Sequence, residues 1–180
     1  LETCKSVSEI HDETDAAIAF ANKTGNRHTL GIYISYEQLC KAIKGETLFE
    51  GSFDDENFKE KNHIEELSGN LMALCYFYIL RALSAVIYCD YETAFILTEK
   101  AVPLIPSITG FYPVALHNFL HSLSMCKRIE NDNCTRDEKY SLLEKIKLNQ
   151  KWLNDRANDA PVNFSHLYDT IKAGIAIIEG

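Results

Sequence analysis

Asn70-Leu71-Met72-Ala73-Leu74-Cys75-Tyr76-Phe77-Tyr78-Ile79-Leu80-Arg81-Ala82-Leu83-Ser84-Ala85-Val86-Ile87-Tyr88, then Cys89, then Asp90-Tyr91-Glu92-Thr93-Ala94-Phe95-Ile96-Leu97-Thr98-Glu99-Lys100-Ala101-Val102-Pro103-Leu104-Ile105-Pro106, is the stretch on which the fold turns. Its first run is apolar almost all round, which places a helix inside a stack rather than on a surface. The second run is amphipathic and reads as helix over residues 90–106. The first run also approaches the length a bilayer requires, but Arg81 stands at its centre. A central Arg costs ~2.5–3.5 kcal/mol on insertion scales, and no Lys/Arg-rich flank orients the segment, so no membrane insertion is expected. Arg81 is expected to snorkel to the surface in preference to reaching an acidic partner across the stack.

Working outward, Ser6 or Ser8 can cap a first helix with Ile10, Ala17, Ile18 and Ala21 on one face, stopped near Gly25. A second helix from about Thr29 places Ile32, Tyr36, Leu39, Cys40 and Ile43 at helical spacing and ends at Gly45. Periodicity is then lost over residues 46–57, a loop pinned by Phe49, Phe53 and Phe58, and a short charged helix is expected over 57–67. Beyond the central pair, Thr109-Gly110 opens a helix carrying Tyr112, Ala115, Leu116, Phe119, Leu120 and Leu123, which ends at residues 131–133. Thr135 and Glu138 fit a capping box for the next helix, and Pro161 fits the first turn of the last. The sum is an all-α chain of about eight helices in antiparallel hairpins, one domain spanning residues 1–180.

Composition agrees with such a domain: 180 residues, 46% hydrophobic and 24% charged, with 8 Gly and only 4 Pro. A formal charge of −8 argues against binding nucleic acid or an anionic membrane, both of which need Lys and Arg. The six cysteines, Cys4, Cys40, Cys75, Cys89, Cys126 and Cys134, form no C-x-x-C pair, and reduced thiols in a cytoplasmic protein are expected. In that compartment the sequons at Asn22, Asn133 and Asn163 carry no meaning. The chain begins at Leu1 without a signal-peptide pattern and is expected to be a piece of a larger protein.

The central pair resembles a tetratricopeptide (TPR) hairpin: Asp90-Tyr91 at the inter-helix turn, Ala82, Ala94 and Ala101 where helices cross, and Pro106 at the end. The other pairs match less well, so the array reads as a TPR-like α/α superhelix of degenerate repeats. A more specific likeness lies in Lys44-Gly45-Glu46-Thr47, Gly51-Ser52-Phe53-Asp54-Asp55-Glu56, Cys89-Asp90-Tyr91-Glu92-Thr93-Ala94 and Asn158-Asp159-Ala160-Pro161-Val162-Asn163-Phe164. In this order the chain resembles the helical region between the AAA-type ATPase module and the GAF or PAS sensors of large multi-domain signalling kinases. Those proteins carry an N-terminal serine/threonine kinase and often a C-terminal histidine kinase. Arg81 and the polar turn over residues 126–136 depart from the pattern. The resemblance implies a non-catalytic scaffold or regulatory domain whose partners are the kinase, ATPase or sensor domains of its own polypeptide, or a protein or peptide ligand. The chain carries no G-x-x-x-x-G-K-[ST], H-R-D, D-F-G or G-x-G-x-x-G motif.

The alternative reading is a small metal-dependent helical enzyme. His117 and His121 stand four apart, a spacing that lets two imidazoles share one metal, yet the sequence supplies no third ligand beside them. Cys75 and Cys126 lie in apolar runs where a thiol is packing rather than nucleophile. No catalytic, cofactor-binding or metal residue is therefore assigned, and no cofactor is expected. The acidic run Asp54-Asp55-Glu56 lacks the alternating order of a calcium loop and reads as a cap for the short helix after it. Tyr76, Phe77, Tyr78, Tyr88, Tyr91, Phe95, Phe111, Tyr112 and Phe119 are dense for one window. They can line a partner groove or fill the core.

Overall fold

The computed structural model describes residues 6–131 and 134–180. Cys4, the sequon Asn133 and part of the expected helix end at 131–133 lie outside them. Among the described residues the chain is all-α: α1 (Val7–Thr24), α2 (Arg27–Lys44), α3 (Glu60–Glu66), α4 (Leu71–Ile87), α5 (Tyr91–Ala101), a 3₁₀ segment (Val102–Ile108), α6 (Pro113–Glu130), α7 (Arg136–Asp159) and α8 (Pro161–Glu179). The helices form two layers. The even-numbered α2, α4, α6 and α8 pack in series, while α1 covers α2, α5 covers α4 and α6, and α7 covers α6 and α8.

Turn chemistry explains the hairpins. After α1 the amide of Gly25 donates to Asn22 O and that of Asn26 to Ala21 O, with Gly25 at φ 69°. After α4 the amide of Cys89 donates to Val86 O and that of Asp90 to Ala85 O, with Cys89 at φ 60°. Each turn is a Schellman closure that runs directly into an N-cap, since Asn26 accepts from Thr29 N and Asp90 from Thr93 N. Asn70 caps α4 by accepting from Ala73 N and donates to His28 O, which ties the start of α4 to the start of α2.

Several boundaries differ from expectation for local reasons. Ser6, not Ser8, caps α1, whose fully buried side chains are Thr14 and Ala21, with Ile10, Ala17 and Ile18 only half-buried. Asn26 starts α2 two residues early. The central amphipathic helix stops at Ala101 rather than Pro106, because Pro103 and Pro106 cannot donate and the chain tightens into 3₁₀ geometry. Pro113, not Thr109-Gly110, opens α6. The capping box of Thr135 and Glu138 on α7 is present as read.

Three buried clusters fill the layers. One joins α2, α4 and the long connection around Phe53, Phe77 and Leu80; the second joins α4, α5, the 3₁₀ segment and α6 around Ile79, Ile108 and Leu120. The third joins α6, α7 and α8 around Met125, Ile146 and Ile171. Ala82, Ala94 and Ala101 are each fully buried, as their reading as crossing points requires. On α8, a Cβ at Gly174 would lie 3.1 Å from Cys126 Sγ, so glycine sets how near α8 comes to α6.

The connection from α2 to α3 is held by charge. Asp54 accepts from Glu60 N at 2.7 Å, the capping role expected of the acidic run, while Asp55 accepts from Asn57 N and Phe58 N. Those bonds commit residues 57–59 to a turn, which is why α3 begins at Glu60 and is shorter than 57–67. Burial works against the charge on Asp55, but the Asn57 amide, Lys41 and the Phe58 amide outweigh it and lower its pKa. Phe53 is buried and Phe58 half-buried, as a pinned loop needs, whereas Phe49 is exposed.

Arg81 corrects the sequence reading. Its side chain is 11% exposed and its Nε donates to Glu60 Oε1 at 2.8 Å, so it reaches an acidic partner instead of snorkelling. The same oxygen accepts from Phe53 N and Ser52 Oγ, and the guanidinium lies 5.8 Å from the Phe53 ring centroid. One carboxylate oxygen thus fastens loop to helix.

Glu60→Ala should destabilise the fold by ~2 kcal/mol, because it leaves a largely buried guanidinium and a part-buried amide without their acceptor. Arg81→Leu, which removes the charge with its need for a partner, should cost less; urea midpoints in the reverse order would refute this account. At the α4–α5 turn, Cys89→Gly should raise stability by ~1 kcal/mol, since a side chain is strained at positive φ.

Candidate interaction groove

The N-terminal turns of all four even helices lie along one edge of the array and leave two clefts there. One, of about 570 Å³, is lined by Glu13 and Ala17 of α1, Ile32, Tyr33 and Tyr36 of α2, and Met72 and Tyr76 of α4. The other, of about 540 Å³, lies among the 3₁₀ segment, Tyr112, Val114 and Ala115 at the start of α6, Trp152 and Arg156 of α7, and Phe164 of α8. Phe111 lines both clefts and is 52% exposed. It forms the ridge between them.

The walls are aromatic and paired. Tyr36 and Tyr76 sit with ring centroids 6.4 Å apart, and Tyr112 stacks on Phe164 at 6.1 Å with an interplanar angle of 29°. Arg156 lies over the Trp152 ring at 4.4 Å, one turn along α7. Rings at fixed spacing beside a few charged groups suit capture of apolar side chains from a protein segment.

The dense aromatic set divides between the two readings. Tyr76, Phe111 and Tyr112 line the clefts, while Phe77 is fully buried core and Tyr88 donates its hydroxyl to Ala42 O. Phe95 stacks on His121, Phe119 packs on the buried clusters, and Tyr78 and Tyr91 are half-buried. Sequence reasoning missed Tyr33, Tyr36, Trp152 and Phe164 as groove residues. Each occupies a position that helical spacing also assigns to core, and only the meeting of four helices separates the two.

The two histidines of the alternative reading lie within the layers, at the junction of α5, α6 and α7. Their ring centroids are 5.2 Å apart, but each Nε2 has its own acceptor, Thr98 O at 3.0 Å for His117 and Glu99 Oε1 at 2.8 Å for His121. Those acceptors fix the proton on Nε2 of both rings. Glu99 also takes Lys145 at 2.9 Å, and Asn149 approaches His121 Nδ1 at 3.4 Å. Among the described residues no group of three or more His, Cys, Asp or Glu is arranged to hold a metal ion. Cys75, Cys89, Cys126 and Cys134 are in no disulfide, and burial pushes the thiols of Cys75 and Cys126 up to about 12 and about 11, far from nucleophilic thiolates. No described helix is long and apolar enough to cross a membrane.

No protein-family model, curated relative or solved structure matches the chain.

Burial lowers the pKa of His117 from 6.5 to about 4. Burial likewise lowers His121, against the pull of Glu99, and His63. Between those values the unfolded chain binds the extra proton, so stability is complete above pH 6.5 and is lost as pH falls toward 4. For His117 the loss is on the order of 3 kcal/mol. Urea unfolding at stepped pH should show this decline, and His117→Gln, which keeps a donor for Thr98 O, should make it shallower; an unchanged slope would refute the assignment.

Proposed function

We propose that this chain is a TPR-like helical scaffold domain of a multi-domain signalling kinase, non-catalytic in itself, that docks a protein segment in the aromatic groove. The segment belongs to a kinase, ATPase or sensor domain of the same polypeptide or to a separate partner. The observation that carries this reading is the pair of clefts joined at Phe111. A two-layer helix array presents an edge-long row of rings there, and such arrays use their extended surfaces for extended ligands.

Other observations support it. His117 Nε2 is bonded to Thr98 O of α5, and Glu99 is shared by His121 and by Lys145 of α7, which supports a packing role for these side chains, although His117 Nδ1 is buried without a partner. The unbridged thiols of Cys75, Cys89, Cys126 and Cys134 fit a reducing, cytoplasmic setting. The kinase setting rests on the likeness of the motif series 44–47, 51–56, 89–94 and 158–164 to the region between ATPase and sensor modules.

Selection of a displayed peptide library on the purified domain should return sequences rich in aromatic and large aliphatic residues. Phe111→Ala should weaken their binding at least tenfold, about 1.4 kcal/mol, while Leu148→Ala, at a more exposed position outside the groove, should not. Clean protein should hydrolyse no ATP. Failure to select any peptide, or reproducible ATP turnover, would overturn the proposal.

A further inference from the structure

Three arginines among the described residues are half-buried, Arg81, Arg128 and Arg156, and each lies over an aromatic ring. Arg81 lies over Phe53 and pairs with Glu60; Arg128 lies 4.9 Å from the Phe95 centroid and pairs with Glu92. Ring, guanidinium and carboxylate form a repeated unit in this fold. The third unit is incomplete. Arg156 lies nearest its ring of the three, at 4.4 Å over Trp152, and has no carboxylate within 4.0 Å among the described residues.

Its position distinguishes it as well. Arg81 and Arg128 line clefts that already hold carboxylates, Asp54 and Glu60 beside the one and Glu138 beside the other, whereas Arg156 lines a cleft of about 540 Å³ walled by Phe111, Tyr112, Trp152 and Phe164 and bearing no carboxylate. A guanidinium held over an indole has less freedom to lose on binding, and its fork matches a carboxylate in two parallel hydrogen bonds. We propose that this cleft recognises an acidic segment of a partner protein, with an apolar side chain held among the rings and the carboxylate of a neighbouring Asp or Glu on Arg156. The inference rests on the docking reading above and adds the chemistry of the docked segment. The domain's own charge of −8 repels an acidic ligand at long range. Selection for acid here therefore requires the local pair.

Trp152 is the chain's one tryptophan, so the cleft carries its own reporter. The probes are an acetylated, amidated peptide with Phe flanked by Glu, the same peptide with Lys in place of Glu, and free 3-phenylpropionate. Each is titrated into the full chain while Trp152 emission is followed. The Glu peptide should bind saturably and at least tenfold more tightly than the Lys peptide. Arg156→Gln should bring the two together, and Arg156→Glu should reverse their order. Equal affinities that Arg156→Gln leaves unchanged would overturn the acid preference while the docking reading stands, because library selection tests docking without regard to charge. No saturable change with either peptide overturns the inference. So does 3-phenylpropionate matching the Glu peptide, which would make the cleft a small-molecule site.

Discussion

The structure depends on how closely α4 can be approached. It meets α2 on one side and α5, α6 and the 3₁₀ segment on the others, and Ala73, Ala82, Ser84 and Ala85 are all fully buried there. A bulky side chain at any of them would push a neighbour outward and open both layers, because close-packed interiors absorb added volume poorly. Ala94 and Ala101 return the same small surface from α5. The rest of the architecture is arranged around these short interhelical distances.

Close packing leaves little room for a charged or ring-nitrogen group, and three of those it admits are held by partners on another element. Arg81 is held by a carboxylate that also fixes the loop bearing Phe53, and His117 and His121 are held by a carbonyl and a carboxylate of α5. Each of these groups joins one helix to the next in sequence. They work as fasteners, and the open chemistry is displaced to the edge where the even helices begin.

Much of the fold could be read from residues. Gly25 and Gly45 end their helices, Thr135 with Glu138 and Pro161 begin theirs, and the buried alanines lie where helical spacing put them, since these are local effects of one or two side chains. Arg81 was misjudged because its partner, Glu60, stands 21 residues earlier on the short charged helix, and no spacing rule relates that helix to α4. The 3₁₀ segment was hidden by an apolar pattern that continues past the point where two prolines remove the donors a helix needs. The groove was the least legible feature. Phe111 and Tyr112 were among the rings singled out, but Tyr33, Trp152 and Phe164 come from three other helices, and no spacing rule relates them.

Packing on neighbours in sequence also bears on how the chain reaches this state. Among the described residues, the farthest-reaching side-chain hydrogen bonds, Tyr88 to Ala42 and Lys145 to Glu99, each span 46 residues. Short loops close at small entropic cost, and contacts between neighbours in sequence favour fast assembly of each helix pair. During synthesis α1 and α2 can therefore pair before α8 has been made, and each later helix finds a finished surface to settle on.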